Sequence, residues 1–227
     1  MSVSSLLDPG KILNAAEYSI AQALEYSDNR EFRISTSTNE IDGYPGLASL
    51  TAAQENGKAG DIVGVYVRDV MALAVMQQPA GEPEFVSRDN QVLTQFALPK
   101  EYGSIGLLAH NYLSGSRFFR LTTAMEVVAV YGNGRLERYK ISRIERFKAL
   151  NPTSAFSNFV DLADTQGVVL TSSELFRRIY TAGHQLVFQT CISENGQSSW
   201  GRIFIVATPV DSLPLTVPAM TSPQNLN

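Results

Sequence analysis

From Asp61 onward the chain consists of short β-type runs separated by turn-forming residues, and this texture restricts the fold more than any other feature. The runs are Ile62 to Val67, Met71 to Met76, Gln91 to Phe96, Ser104 to Ala109, Glu126 to Tyr131, Leu136 to Ile144, Gln185 to Thr190 and Gly201 to Ala207. Each is rich in β-branched and aromatic residues and too short for an ordinary helix, so about eight strands and a mainly β fold are expected. The clearest local signal is VVAVYGNGRLERYKI, in which Gly132, Asn133 and Gly134 are read as supplying the positive φ of a tight hairpin turn. With no strand-to-helix context, its GNG is a turn and not a phosphate loop.

Three other segments have a different character. Residues 8–26, DPGKILNAAEYSIAQALEY, predict a helix: Asp8 caps, Pro9 suits the first turn, and Ile12, Ala16, Ile20, Ala23 and Leu24 share a face. Residues 27–60 are polar and turn-rich, a covering arm with one short helix in LASLTAAQ. In TSSELFRRIYTAG, Thr171 and Glu174 form a capping box, Leu175 and Ile179 share a face and Gly183 can stop the helix. After Thr208 the Pro-rich, polar end predicts an extended or disordered tail. The expected division is an N-terminal helix and arm over 1–60, a β-domain over 61–209 and a tail over 210–227.

Composition narrows the function classes. A formal net charge of -4 argues against a nucleic-acid partner. The longest apolar runs, MALAVM, VVAVY and IFIVA, are strand-sized, far below the roughly 18 to 20 residues of a membrane helix, so no membrane segment is expected in this chain. The start MSVSSLLDPGK has no basic, then apolar, secretory pattern, so no signal peptide or anchor is expected either. The single cysteine forms no internal disulfide, and His110, His184 and Cys191 do not make zinc-ligand spacing. Glu145, Asp161, Asp164 and Glu174 lack a calcium-loop signature, and Arg143, Arg146, Arg177 and Arg178 read as solvated faces. No metal or cofactor is expected.

That leaves the thiol of Cys191, in FQTCIS at the end of a strand. Cysteine is a nucleophile only as thiolate, which needs a nearby base or positive charge. His184 precedes it by seven residues on one apparent strand, about 20 Å away at ~3.3 Å per residue, so His110, closing the apolar run GSIGLLAH, is the candidate base. A symmetric hairpin around ENGQSS, centred between Gly196 and Gln197, would set Arg202 directly opposite Cys191. A slip of one residue would turn the arginine to the other face.

A strand ending in His, a strand ending in Thr-Cys and a strand opening with Arg, in that order within a β-domain, resembles the sortase family of cysteine transpeptidases. The matching stretches are LLAHN (107–111), VFQTC (187–191) and WGRIFIVA (200–207), with SRFFRLTTAMEVVAVYGNGRLERYKI resembling the segment after the family's histidine. The likeness spans roughly residues 62–209. It departs at Ala109, where Gly is common, at Val187-Phe188, where Thr-Leu is usual, and at Met125-Glu126, where Gly-Asp is frequent.

The resemblance implies a sortase-like eight-stranded β-barrel and an acyl transfer. Cys191 would attack a backbone carbonyl of a peptide sorting signal, His110 would protonate the departing amine and deprotonate the incoming one, and Arg202 would bond the oxyanion or hold the substrate. Thr190 would orient substrate or Arg202. The partners implied are a peptide or protein sorting-signal substrate and an amine acceptor, and the setting implied is the extracytoplasmic cell surface, which nothing else in the sequence indicates. The alternative is a catalytically silent barrel of the same fold that holds a peptide or scaffolds a partner. An L,D-transpeptidase is disfavoured because QTCIS lacks a Ser-His-Gly-Cys run, and a papain-like protease because its cysteine precedes its histidine.

Overall fold

The computed structural model describes residue 44, residues 46–154 and residues 157–210. The expected helix over 8–26, most of the arm and the tail lie outside the described residues. The strands are β1 (Ile62–Val67), β2 (Met71–Gln77), β3 (Val92–Phe96), β4 (Ile105–Leu108), β5 (Glu126–Tyr131), β6 (Leu136–Ala149), β7 (Phe159–Asp161), β8 (Val169–Leu170), β9 (Leu186–Glu194) and β10 (Gln197–Pro209). Two α-helices accompany them among the described residues, α1 (Leu47–Gln54) and α2 (Ser172–Tyr180).

Eight of the strands close on themselves in the order β10-β9-β4-β3-β2-β1-β5-β6, with β6 returning to β10. The pairs β2–β3 and β4–β9 are parallel and the others antiparallel, so the barrel is mixed. The expected mainly β fold and eight-stranded barrel are therefore present. The eight expected runs all form strands, whereas β7 and β8 were not anticipated because three and two residues carry too little alternation to read.

Strand β6 is longer than its expected end at Ile144. Its first five residues pair with β5, and its last three, Phe147 to Ala149, pair with β7 along the same edge. The extension continues the sheet beyond the closed barrel. In the β5–β6 turn only Gly134 has positive φ, at 80°. Gly132 has a different task from the one expected: a Cβ there would lie 2.1 Å from Asn56 Oδ1 and 2.7 Å from Lys58 O, so its missing side chain admits the incoming loop.

The barrel interior is apolar, built from alternating positions such as Val65, Leu107, Phe188, Ile203 and Ile205. A second apolar layer lies outside β9, β10 and β6, where Leu175, Phe176, Ile179 and Tyr180 of α2 cover Val187, Phe204 and Phe147. This is why β9 and β10 read as nearly continuous hydrophobic runs, because both faces are buried. Helix α2 starts at the expected capping box, with Thr171 Oγ1 accepting from Glu174 N–H and Glu174 accepting from Thr171 N–H. Arg178, expected on a solvated face, instead ties α2 to the sheet through Glu145 at 2.6 Å and Asp161 at 2.7 Å.

On the far side α1 covers β1 and β5 through Leu47, Leu50, Tyr66 and Val128. There Glu126 accepts hydrogen bonds from Tyr44 and Arg138. Burial alone would raise the Glu126 carboxyl, but the bonds from Arg138 and Tyr44 outweigh it and hold the group below its ordinary range. A carboxyl depressed in the folded state contributes stability above its unfolded pKa and loses it as pH falls through the folded value. Glu126→Gln is therefore expected to flatten the acid side of the stability curve, read as urea midpoints between about pH 6 and 2. Equal acid slopes for the two proteins would refute this.

Candidate active site

The site lies just past the end of β4 and within β9 and β10: Cys191 and Arg202, expected to end one strand and open the next, stand inside them, because the tight turn lets β9 run on to Glu194 and β10 start at Gln197. Between β4 and β9 the parallel ladder runs from Ile105↔Leu186 to Leu108↔Gln189. Two further bonds carry the same offset onward: Ala109 N–H donates to Gln189 O at 3.3 Å, and Thr190 Oγ1 donates to Ala109 O, 81 residues away, at 2.7 Å. Continued one residue past its last bond, this offset would set His110 level with Cys191. Across the other edge Cys191 pairs with Arg202. Cys191 and Arg202 thus stand side by side on β9 and β10, and His110 follows the end of β4, the strand on the other side of β9.

Cys191 and Arg202 also point the same way. Leu108, Val187 and Phe204 belong to the outer apolar layer, while Ala109, Phe188 and Ile203 face the barrel interior. Alternation along β9 and β10 then directs Cys191 and Arg202 outward, above the surface that α2 covers. His110, Cys191 and Arg202 are all buried, with 3%, 7% and 2% of their surface exposed. The His110 ring stacks on Tyr112 at 5.3 Å between centroids, and Tyr112 is itself 60% exposed, so it shields the imidazole from the solvent side.

The register of Arg202 is as expected, but the hairpin reaches it by another route. Asn195 and Gly196, with φ of 51° and 78°, form a two-residue turn, so Glu194 pairs with Gln197. From there β10 advances four residues, 197 to 201, while β9 steps back two, 194 to 192. This bulge of two extra residues restores the pairing that a symmetric turn centred after Gly196 would have given. Arg202 Nη1 donates to Ser199 O at 3.0 Å and Gly201 O at 2.9 Å, so the guanidinium is held by the carbonyls of the bulge itself. Gly201 has no side chain for a steric reason, since a Cβ would lie 2.5 Å from Phe147 O of β6.

Thr190, expected to orient substrate or Arg202, is buried and turns its hydroxyl to Ala109 O on the opposite face from the sulfur. It fastens β9 to the chain just before His110. His184 lies before the start of β9, its side chain 71% exposed and 2.9 Å from Glu137, in keeping with the large separation expected from Cys191. Among the described residues no group of three or more His, Cys, Asp and Glu side chains gathers as for a metal ion.

Several supporting residues escaped the sequence reading. Asn111 Nδ2 donates to Ser193 Oγ at 2.7 Å and Ser198 O at 2.9 Å, joining the loop after His110 to the β9–β10 hairpin. Gly115 packs so tightly that a Cβ would meet Thr190 Oγ1 at 2.5 Å and His110 O at 2.7 Å. Gly201 carried a readable signal, as glycine inside a strand pattern marks a bulge or close backbone approach. Asn111, Ser193 and Ser198 carried none, because loop residues of these types are common everywhere.

The barrel resembles those of sortases. Listeria monocytogenes sortase A matches with 11% identity and a TM-score of 0.41, covering 68% of this chain and 91% of that one. Sortase E1 from Streptomyces coelicolor, solved with a tripeptide in its active site, matches with 14% identity and a TM-score of 0.43, over 71% and 93%. Corynebacterium diphtheriae sortase A matches with 13% identity and a TM-score of 0.42, over 68% and 63%. No protein-family model matches this chain, and no curated protein does. At identities and scores this low, the overlay carries no argument about function.

Proposed function

We propose that this chain is a cysteine transpeptidase of sortase type, acting on a peptide signal and an amine acceptor. The observation that supports this most is the pairing of Cys191 with Arg202 within β9 and β10, with His110 just past the end of β4 on the other side of β9. A thiol flanked by an imidazole on one strand and a guanidinium on the other is arranged for acyl transfer. The Cys191 proton passes to His110, and the sulfur adds to the carbonyl carbon of the scissile peptide bond. The resulting oxyanion lies on the Arg202 side, where the guanidinium donates to it. The C–N bond then breaks as His110 delivers the proton to the departing amine, leaving a thioester. An incoming amine gives its proton to His110 and displaces the sulfur, which restores the thiol. Water in place of the amine makes the protein a slow endopeptidase. Thr190 acts here through the backbone of Ala109, as a positioning residue.

A second reading has one observation in its favour. Arg202 is 2% exposed and gives Nη1 to two backbone carbonyls, as a structural arginine in a silent peptide-binding barrel would. The two part under one experiment, in which the protein is incubated with a library of short sorting-type peptides and its intact mass followed, with Cys191→Ala as control. The transpeptidase gives a thioester on Cys191 that added amine discharges. Peptide binding with no adduct at any pH rejects the enzyme and leaves the scaffold.

A further inference from the structure

The bulge in β10 is a meeting point for side chains from three parts of the chain. Ser198 O accepts from Asn111 Nδ2 at 2.9 Å and from Ser193 Oγ at 3.1 Å. Ser199 O and Gly201 O accept from Arg202. Asn111 Nδ2 also donates to Ser193 Oγ at 2.7 Å, so one amide group grips both sides of the hairpin that carries Cys191 and Arg202. Asn111 directly follows His110 in the chain, and the chain turns there, with Leu113 N–H and Gly115 N–H both donating to His110 O at 3.0 Å. His110 stands one residue beyond its last ladder bond, and its ring stacks on Tyr112 of the same loop.

We propose that Asn111 is a positioning residue for acyl transfer, whose side-chain amide locks the imidazole of His110 in register with Cys191 by clamping the loop after β4 to the β10 bulge. The inference rests on the reading of Cys191 as an activated thiol. Its physical content is that the clamp is made by donation: both partners of Asn111 are oxygens, and one, Ser198 O, only accepts. An aspartate of the same size supplies no N–H and sets a carboxylate against that carbonyl. Tyr112 of its own loop stacks on the imidazole, and the strand beside β4 carries Cys191, paired in turn with Arg202 on β10.

The test compares the full chain with Asn111→Ala, Asn111→Asp, Ser193→Ala and His110→Ala. The second-order rate of Cys191 alkylation by iodoacetamide is followed from pH 5 to 10 by intact mass, alongside thermal unfolding. Asn111→Ala and Asn111→Asp are expected to lower the rate at neutral pH by about tenfold and to move the rate–pH curve toward that of His110→Ala, as misplacement of a base by a fraction of an ångström does. Ser193→Ala leaves the bond to Ser198 O and is expected to shift the curve less, in the same direction. A melting temperature lowered with the curve unchanged would make Asn111 a stability residue only and overturn the proposal, as would full recovery in Asn111→Asp. If His110→Ala itself keeps the wild-type curve, the activated thiol and the clamp fall together. If His110→Ala changes the curve and the Asn111 variants do not, the clamp alone falls.

Discussion

Replacing Arg202 by alanine is expected to lower kcat for peptide transfer by about two to three orders of magnitude, the scale on which a single oxyanion donor acts. The residue stands opposite Cys191, and its guanidinium presents its N–H donors as a planar fork, of which Nη1 bonds Ser199 O and Gly201 O. Arg202→Lys keeps the charge but loses the planar fork, so it cannot hold the bulge and reach an oxyanion together, and its recovery is expected to stay below about tenfold. The measurement is steady-state transfer on a peptide that forms the thioester, with thermal unfolding to separate the stability lost when two buried carbonyls lose their donor, about 1 to 3 kcal/mol each at most. Turnover in Arg202→Ala within about threefold of wild type would remove the arginine from the chemistry.

Gly115→Ala is expected to lower both stability and activity, although it adds only a single methyl. The added carbon would fall 2.5 Å from Thr190 Oγ1, 2.7 Å from His110 O and 3.0 Å from Ala109 O, and two of those three atoms are backbone that cannot swing aside. Overpacking of this kind costs about 1 to 3 kcal/mol, and relief must come from the loop that carries His110, so activity should fall more than stability. Gly60→Ala is the control, because no atom lies within 4 Å of its added carbon. Urea unfolding of the two variants, with thioester formation measured in parallel, checks the expectation. A Gly115→Ala protein as stable and as active as Gly60→Ala would show that the loop has room which the geometry denies.

Both expectations depend on features of unequal legibility. The runs that became β1 and β5 could be bounded to the residue, because in each a compact block of β-branched and aromatic residues is bracketed by turn-formers. The capping box of α2 was equally plain, since Thr171 and Glu174 are spaced for a local, reciprocal bond. The pairing of Cys191 with Arg202 could be obtained from spacing, although the actual turn is two residues tighter and a bulge makes up the difference. Such a bulge depends on Gly201 passing under Phe147 O, a contact with a residue more than fifty positions away that no local pattern encodes.

The chain's own letters determined what is local: the period of the strands, the helix cap, the scarcity of thiols and imidazoles, and the chain order of His, Cys and Arg. Tertiary structure alone decided that the chain leading into His110 is fastened to β9 next to Cys191, because the parallel β4–β9 register is set by packing and by the bond from Thr190 to Ala109, 81 positions apart in the chain. It likewise decided which oxygens Asn111 and Arg202 would find. Hydrogen-bond partners brought together by barrel closure have no signature along the chain, since closure is a property of eight strands at once and not of any one of them.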